Sequence, residues 1–300
     1  MSQKPVKKAV VLAAGFGTRF LPASKAIPKL LFPVIDRPII QIVAEEIVKA
    51  GITEIIFVLS PFSKNFSNAI KSHFEPFPSL NELLLKTGKD KLAGELEKIE
   101  KMANYSFVFQ KTGRIGAAIA IDSARQQVGE EPFLLLFADE FYYADPPWIS
   151  QLVNAYNQLG GNILGCIRTS KPEDGNRFGF ITGEKVGQTA TKVKELVEKP
   201  GFGKAPSDLA SMSGMIFQPE IFEAISEADK ELPEGKELYH TYAIQKMMEK
   251  GQSFYGVEYQ NYRFFDTGDR LGYLKSLVEL GMEYPDFGSE FKTWLKSLKI

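Results

Sequence analysis

Residues Lys8–Ala14 form an apolar, valine-rich run with no polar alternation, and the run stops at once in GFGTRF, Gly15–Phe20. A strand of that kind has both faces covered, so it belongs inside a sheet sandwiched between helices. The next segment is not core sequence. Two glycines, Thr18, Arg19, Lys25 and Lys29 share a loop punctuated by Pro22 and Pro28. The prolines oppose an immediate helix. The loop is no dinucleotide fingerprint, because Phe20 stands where the third glycine of G-x-G-x-x-G belongs. It also lacks the G-K-[ST] ending of a P-loop. Glycine amides at the carboxyl end of a first strand still allow close approach to a phosphate chain. Arg19 then supplies a bidentate donor and Lys29 a point charge.

The rest of the chain repeats the theme that the first strand sets. An apolar stripe of Ile39, Ile40, Val43, Ala44 and Ile47 predicts a helix from Pro38 that Gly51 closes, and Glu54–Leu59 reads as a second buried strand. Residues 60–104, rich in lysine and glutamate, read as an exposed helical insertion. Strands are expected at Tyr105–Gln110, Pro132–Ala138 and Asn162–Arg168, with helices at Ile115–Val128 and Pro147–Leu159. Alternation of this kind predicts a largely parallel sheet covered on both faces. Beyond it, short strands are expected at Phe178–Thr182, Lys192–Val197, Ser213–Phe217 and Phe254–Tyr259. Helices are expected at Pro219–Ala228, Tyr239–Lys250, Asp269–Gly281 and Glu290–Leu298, the last inside a C-terminal segment 285–300. No repeat, linker or low-complexity tract divides the chain, so residues 1–300 read as one α/β domain with a mixed, mostly parallel central sheet.

Bulk properties exclude several classes. A net charge of −1 in 300 residues argues against a general nucleic-acid-binding surface. One cysteine, Cys166, rules out an internal disulfide and suits a cytoplasmic location. The start MSQKPVKK has no signal-peptide cleavage pattern, and no run approaches a membrane span. His73 and His240 are too far apart in sequence for a local metal motif and read as surface or packing residues.

The stretch LAAGFGTRFLPASKAIPKLLFPVIDRPIIQ resembles the opening of the bacterial UTP–glucose-1-phosphate uridylyltransferases, a branch of the sugar nucleotidyltransferases. The G-x-G-T-R and later P-K are general to that family, whereas LPASKAIPK is closer to its uridylyl than to its thymidylyl branch. The resemblance covers most of the chain, with 60–104 the least informative part. It implies a Rossmann-like three-layer fold of the nucleotide-diphospho-sugar transferase type. The implied reaction joins UTP to glucose 1-phosphate with Mg2+, giving UDP-glucose and pyrophosphate, in a homo-oligomer.

The same resemblance assigns roles. Arg19 and Lys29 are the implied catalytic cations. Ala13, Ala14, Gly15, Gly17, Thr18, Gln110 and Gly116 are implied to bind the nucleotide. Gly179, Glu198, Lys199 and Gly214 are implied for the sugar phosphate. Asp139, which ends the strand PFLLLFA, and Asp266 of DTG are the implied metal ligands. The chemistry of each is apt: a carboxylate accepts from sugar hydroxyls, an ammonium suits phosphate, and a glutamine both donates and accepts along a base edge. Taken alone, Asp139 is also an ordinary strand-end aspartate, and Glu198–Lys199 an ordinary solvated pair.

Departures from the family pattern are Phe178 for tyrosine, Ala117 and Ala118 after Gly116, Glu140 beside Asp139, and Tyr242 for an aspartate. They keep thymidylyl or another nucleotidyl transfer open as an alternative. A non-catalytic sugar-nucleotide sensor ranks lower, because Arg19, Lys29, Asp139, Lys199 and Asp266 are all retained.

Overall fold

The structure, a computed structural model, describes residues 3–298. Residues 1–2 and 299–300, the ends of the expected domain and of the C-terminal segment, lie outside the described residues.

In chain order, β1 (Lys8–Ala13) leads into the glycine loop, and a two-residue ribbon, β2 (Pro33–Val34) and β3 (Arg37–Pro38), precedes α1 (Ile39–Lys49) and β4 (Glu54–Leu59). Helices α2 (Lys64–Phe74), α3 (Pro78–Lys86) and α4 (Asp90–Lys101) come next, then β5 (Asn104–Phe109). The chain continues through α5 (Ala117–Ser123), α6 (Arg125–Val128), β6 (Phe133–Phe137), β7 (Glu140–Ala144), α7 (Trp148–Leu159) and β8 (Asn162–Arg168). The hairpin β9 (Gly179–Val186) and β10 (Ala190–Glu198) precedes β11 (Leu209–Phe217), α8 (Ile221–Glu231), α9 (His240–Glu249) and β12 (Phe254–Glu258). The described chain ends with β13 (Tyr262–Asp266), α10 (Arg270–Glu283) and α11 (Gly288–Ser297).

Nine strands make one sheet in the order β5-β4-β1-β6-β11-β8-β12-β10-β9. Successive side chains of β1 enter opposite layers, as the two-residue period of a strand requires. Ala9 and Val11 join a core with Ile40 and Val43 of α1 and Leu152 of α7, while Val10 joins one with Ile121 of α5 and Ile225 of α8. Both layers are apolar and buried, which is why the strand carries no polar alternation. The sheet is mixed, as expected. Its parallel part is β5-β4-β1-β6 together with the β8–β12 pair, because β11 runs antiparallel to β6, β8 and β9.

The segment 60–104 is indeed helical. The helix α3 buries no side chain and α4 only Ala93, but α2 turns Phe66, Ile70 and Phe74 inward, and the Phe74 ring stacks 4.7 Å from that of Phe57. In place of the one helix expected over 115–128, two short helices begin at Ala117 and meet at Ala124. No helix among the described residues is long and apolar enough to cross a membrane.

Strands β7 and β13 were not anticipated. They pair antiparallel as a small ribbon beside the main sheet, with Asp266 opposite Glu140. Stacked rings hold the ribbon: Phe141 on Phe265 at 5.1 Å and Tyr142 on Phe264 at 5.1 Å. The ribbon joins the end of β6 to a segment far along the chain, and it carries Asp266 to Asp139.

Candidate active site

The loop after β1 forms three short 3₁₀ turns, Thr18–Phe20, Ala23–Lys25 and Lys29–Leu31, where its prolines forbid an α-helix. Gly17 has a φ of 62°, and a Cβ there would stand 2.8 Å from Lys29 Cβ. Only glycine lets the loop fold that tightly over the base of Lys29. Ser24 Oγ donates to the Gly17 carbonyl at 2.7 Å and closes the turn. Lys29 Nζ is thereby delivered to Asp139, donating to Oδ2 at 2.6 Å. Arg19 reaches the other side, with Nη1 3.4 Å from the Gly268 carbonyl.

The two acids meet through backbone as well as side chain. Thr267 donates to the Asp139 carbonyl twice, from its amide at 3.1 Å and from Oγ1 at 2.7 Å. The Gly268 amide donates to Asp266 Oδ1 at 2.7 Å. One point marks their convergence: a Cβ on Gly268 would lie 2.8 Å from Asp266 Oδ1, 3.3 Å from Asp139 Oδ2 and 3.4 Å from Arg19 Nη1. Asp266 Oδ2 accepts from Arg177 Nη2 at 2.5 Å. Glu140, half-buried beside them and lining a hollow shared with Glu198 and Lys199, has its carboxyl pushed up to about 8, first by burial and then by the charges of Asp139 and Asp266. Its Oε2 accepts from the Ser213 amide at 3.4 Å.

No group of three or more His, Cys, Asp or Glu is clustered for a metal among the described residues. The converging pair Asp139 and Asp266 nonetheless fits a small hard cation that takes one or two carboxylates and completes its shell with phosphates and water.

Two adjoining hollows share Ala117, Phe137, Asp139 and Glu237. The first, of about 450 Å³, is lined by Ala14, Gly15, Gly17, Lys29, Gln110 and Gly116, all from the expected nucleotide set or its cations, together with the exposed rings of Phe16 and Phe62. Ala13 is buried beneath it and Thr18 is exposed on the loop. The second, of about 280 Å³, is lined by Gly179, Glu198 and Lys199 from the expected sugar set. Gly214 does not line it. Its neighbours Ser213 and Met215 do, while a Cβ on Gly214 would face Tyr259 Oη at 2.4 Å and Trp148 and Leu152 at 2.8 Å.

Lys199 is held from several sides. Its φ is 44°, its amide donates to Phe178 O at 3.2 Å, and its Nζ lies 3.7 Å from Glu198 Oε1 and 4.7 Å from the Tyr239 ring centre. Burial raises the Glu198 carboxyl, and Lys199 partly offsets that.

Several lining residues escaped the sequence reading. Arg177 stands one position before the expected strand Phe178–Thr182, and its charge was the available signal. Tyr239 and His240 lie just before Tyr242, one of the departures from the family pattern. His240 was expected in a surface or packing role. It is buried and packed beside Phe137, and its ring also lines the second hollow, with burial and then the charge of Lys199 driving its pKa down to about 4. Its Nδ1 is buried with no hydrogen-bond partner among the described residues. Tyr242 lines a separate groove with Lys194 and Gln245.

Residues 8–285 match the nucleotidyl transferase family. The chain is 36% identical over 297 residues to the UTP–glucose-1-phosphate uridylyltransferase of Staphylococcus epidermidis, covering 99% of this chain and all of the relative. It is 38% identical over 296 residues to that of Staphylococcus haemolyticus, covering 98% and 99%. The solved UTP-bound UGPase from Acinetobacter baumannii superposes with a TM-score of 0.86 at 29% identity, covering 98% of this chain and 100% of that one. A UDP-glucose pyrophosphorylase complexed with UDP-glucose superposes with a TM-score of 0.81 at 27% identity, covering 93% and 100%. With this coverage and this convergence of acids and cations, the chain belongs to the nucleotidyl transferase family, and within it to the UTP–glucose-1-phosphate uridylyltransferases.

Proposed function

We propose that the protein transfers a uridylyl group from UTP to glucose 1-phosphate with the help of Mg2+, forming UDP-glucose and pyrophosphate. The observation that carries this reading is the position of Asp139. It stands on the boundary of both hollows, with Lys29 on one side and Glu198 and Lys199 on the other.

The difficulty of the reaction is the repulsion of two anions, about 4 kcal/mol for each unit pair at about 4 Å and an effective dielectric near 20. Asp139 and Asp266 would hold the divalent cation, which when bound would neutralise charge on the phosphates. Lys29 and Arg19 flank the nucleotide phosphates, and Lys199 holds the sugar phosphate. Glu198 accepts from sugar hydroxyls, and Gln110 reads the base edge. A phosphate oxygen of glucose 1-phosphate attacks the α-phosphorus of UTP as the bond to the leaving pyrophosphate breaks. No enzyme nucleophile is needed, so catalysis is positioning and electrostatics. We extend the reading to a homo-oligomer in the cytoplasm, supported by the exposed Trp294 of α11 and the unpaired, buried Cys166.

Pyrophosphate release by the purified protein, measured over a panel of nucleoside triphosphates and sugar 1-phosphates, tests the proposal. UTP with glucose 1-phosphate is expected to give the highest kcat/KM. If dTTP or another sugar phosphate outperforms that pair, the substrate assignment is wrong.

A further inference from the structure

Arg177 faces two ways. Its Nη2 lies 2.5 Å from Asp266 Oδ2, and its Nη1 lies 3.6 Å from Asp174 Oδ1. Its guanidinium lies 4.7 Å from the Phe178 ring centre, within cation–π range. The side chain is 46% exposed and lines the hollow that holds Glu198 and Lys199. One end thus rests on an acid suited to a divalent cation, and the rest opens onto the compartment assigned to the sugar phosphate.

The two acids that Arg177 contacts differ in kind. Asp174 is buried and fixed by the Thr169 hydroxyl, which donates to Oδ2 at 2.6 Å. It is a permanent anchor. Asp266 is already satisfied at Oδ1 by the Gly268 amide, so Arg177 is the counter-ion of its other oxygen. A divalent cation binding there brings two further positive charges against the guanidinium. Coordination by this carboxylate and the Arg177 contact draw on the same negative charge, and like-charge repulsion drives the fork away. Phe178 and Asp174 limit where it can go, and the hollow that Arg177 already lines is the one lined by Lys199.

Resting on the assignment of that hollow to the sugar phosphate, we propose that Arg177 is a further catalytic residue that exchanges partners. It neutralises Asp266 until a divalent cation takes its place. It then turns its fork to the phosphate of glucose 1-phosphate. Loading of the cation and gripping of the second substrate are thereby coupled through one side chain.

The test uses R177M, which keeps the side chain's bulk, and R177K, which keeps its charge but not its fork. Substrate-free Mn2+ binding is followed by electron paramagnetic resonance, and the KM for glucose 1-phosphate is measured at saturating UTP and Mg2+. R177M is expected to bind Mn2+ about fivefold tighter, the scale of one lost competing ion pair. Its KM for glucose 1-phosphate is expected to rise by about tenfold with the KM for UTP unchanged, R177K falling between it and wild type. Far-UV circular dichroism establishes that both variants are folded. Unchanged or weaker Mn2+ binding in R177M overturns the exchange, and so does tighter Mn2+ binding with no change in that KM. A wild-type protein that makes no UDP-glucose sinks the substrate assignment alone. The substrate-free titration still reads the competition at Asp266.

Discussion

Lys29 Nζ donates to Asp139 Oδ2 at 2.6 Å across 110 residues of chain, and only 12% of the lysine side chain is exposed. The pair joins the first loop to the end of β6, where the two hollows meet. Replacing Asp139 by alanine removes an implied metal ligand and leaves a largely buried ammonium unpaired. Turnover is expected to fall by about 10²–10³-fold. Loss of the pair costs roughly 1–3 kcal/mol of stability, a fall of several degrees in Tm. Pyrophosphate release and thermal unfolding of the folded variant measure the two effects separately, and near-normal turnover would remove the ligand role.

The Tyr239 ring sits 4.7 Å from Lys199 Nζ, so the aromatic face and not the hydroxyl positions the lysine. Y239F is expected to behave as wild type. Y239L should raise the KM for glucose 1-phosphate by about threefold to tenfold, the range of a cation–π contact. The KM for UTP should stay constant. Equal effects from both variants would assign the role to the hydroxyl instead.

His240 remains neutral in the fold down to about pH 4, against an ordinary value of 6.5, chiefly because its ring is buried. Between those values the unfolded chain binds a proton that the native state does not. Stability contributed by the neutral ring is therefore complete above pH 6.5 and declines as pH falls toward 4, by at most about 3 kcal/mol. Burial also lowers His73, which acts in the same direction. Thermal unfolding of H240L should show a smaller loss of Tm between pH 7 and pH 5 than wild type. Parallel profiles would refute the shift.

Gly214 has a φ of 94° and faces Tyr259, Trp148 and Leu152. G214A should cost about 2–4 kcal/mol through backbone strain and overpacking. The KM for glucose 1-phosphate in the surviving folded fraction should change little. A selective rise in that KM, with stability unchanged, would return Gly214 to the sugar site.

The main strands were legible because burial on both faces writes a continuous apolar run, as at KAVVLA and FLLLF. The loop that bears Arg19 and Lys29 was legible for the opposite reason: clustered cations and glycines among prolines serve no core. Residues Gly179, Glu198 and Lys199, expected to act together, line one hollow, whereas Gly214 of the same expected set does not. The ribbon of β7 and β13 was not legible. Its strands are stabilised by each other's aromatic faces, and each strand's partner lies more than a hundred residues away in the chain.

By itself, then, the sequence determined the alternating framework and the chemical character of its loops, because local hydrophobic period and residue type act over a few neighbours. Only the tertiary structure decided which charges meet. It set Asp266 beside Asp139, Arg177 on Asp266 and His240 beside Lys199, and it turned Gly214 toward the aromatic core. Those relations depend on sheet order and register, which bring distant segments within a few ångströms, and no local pattern encodes that distance.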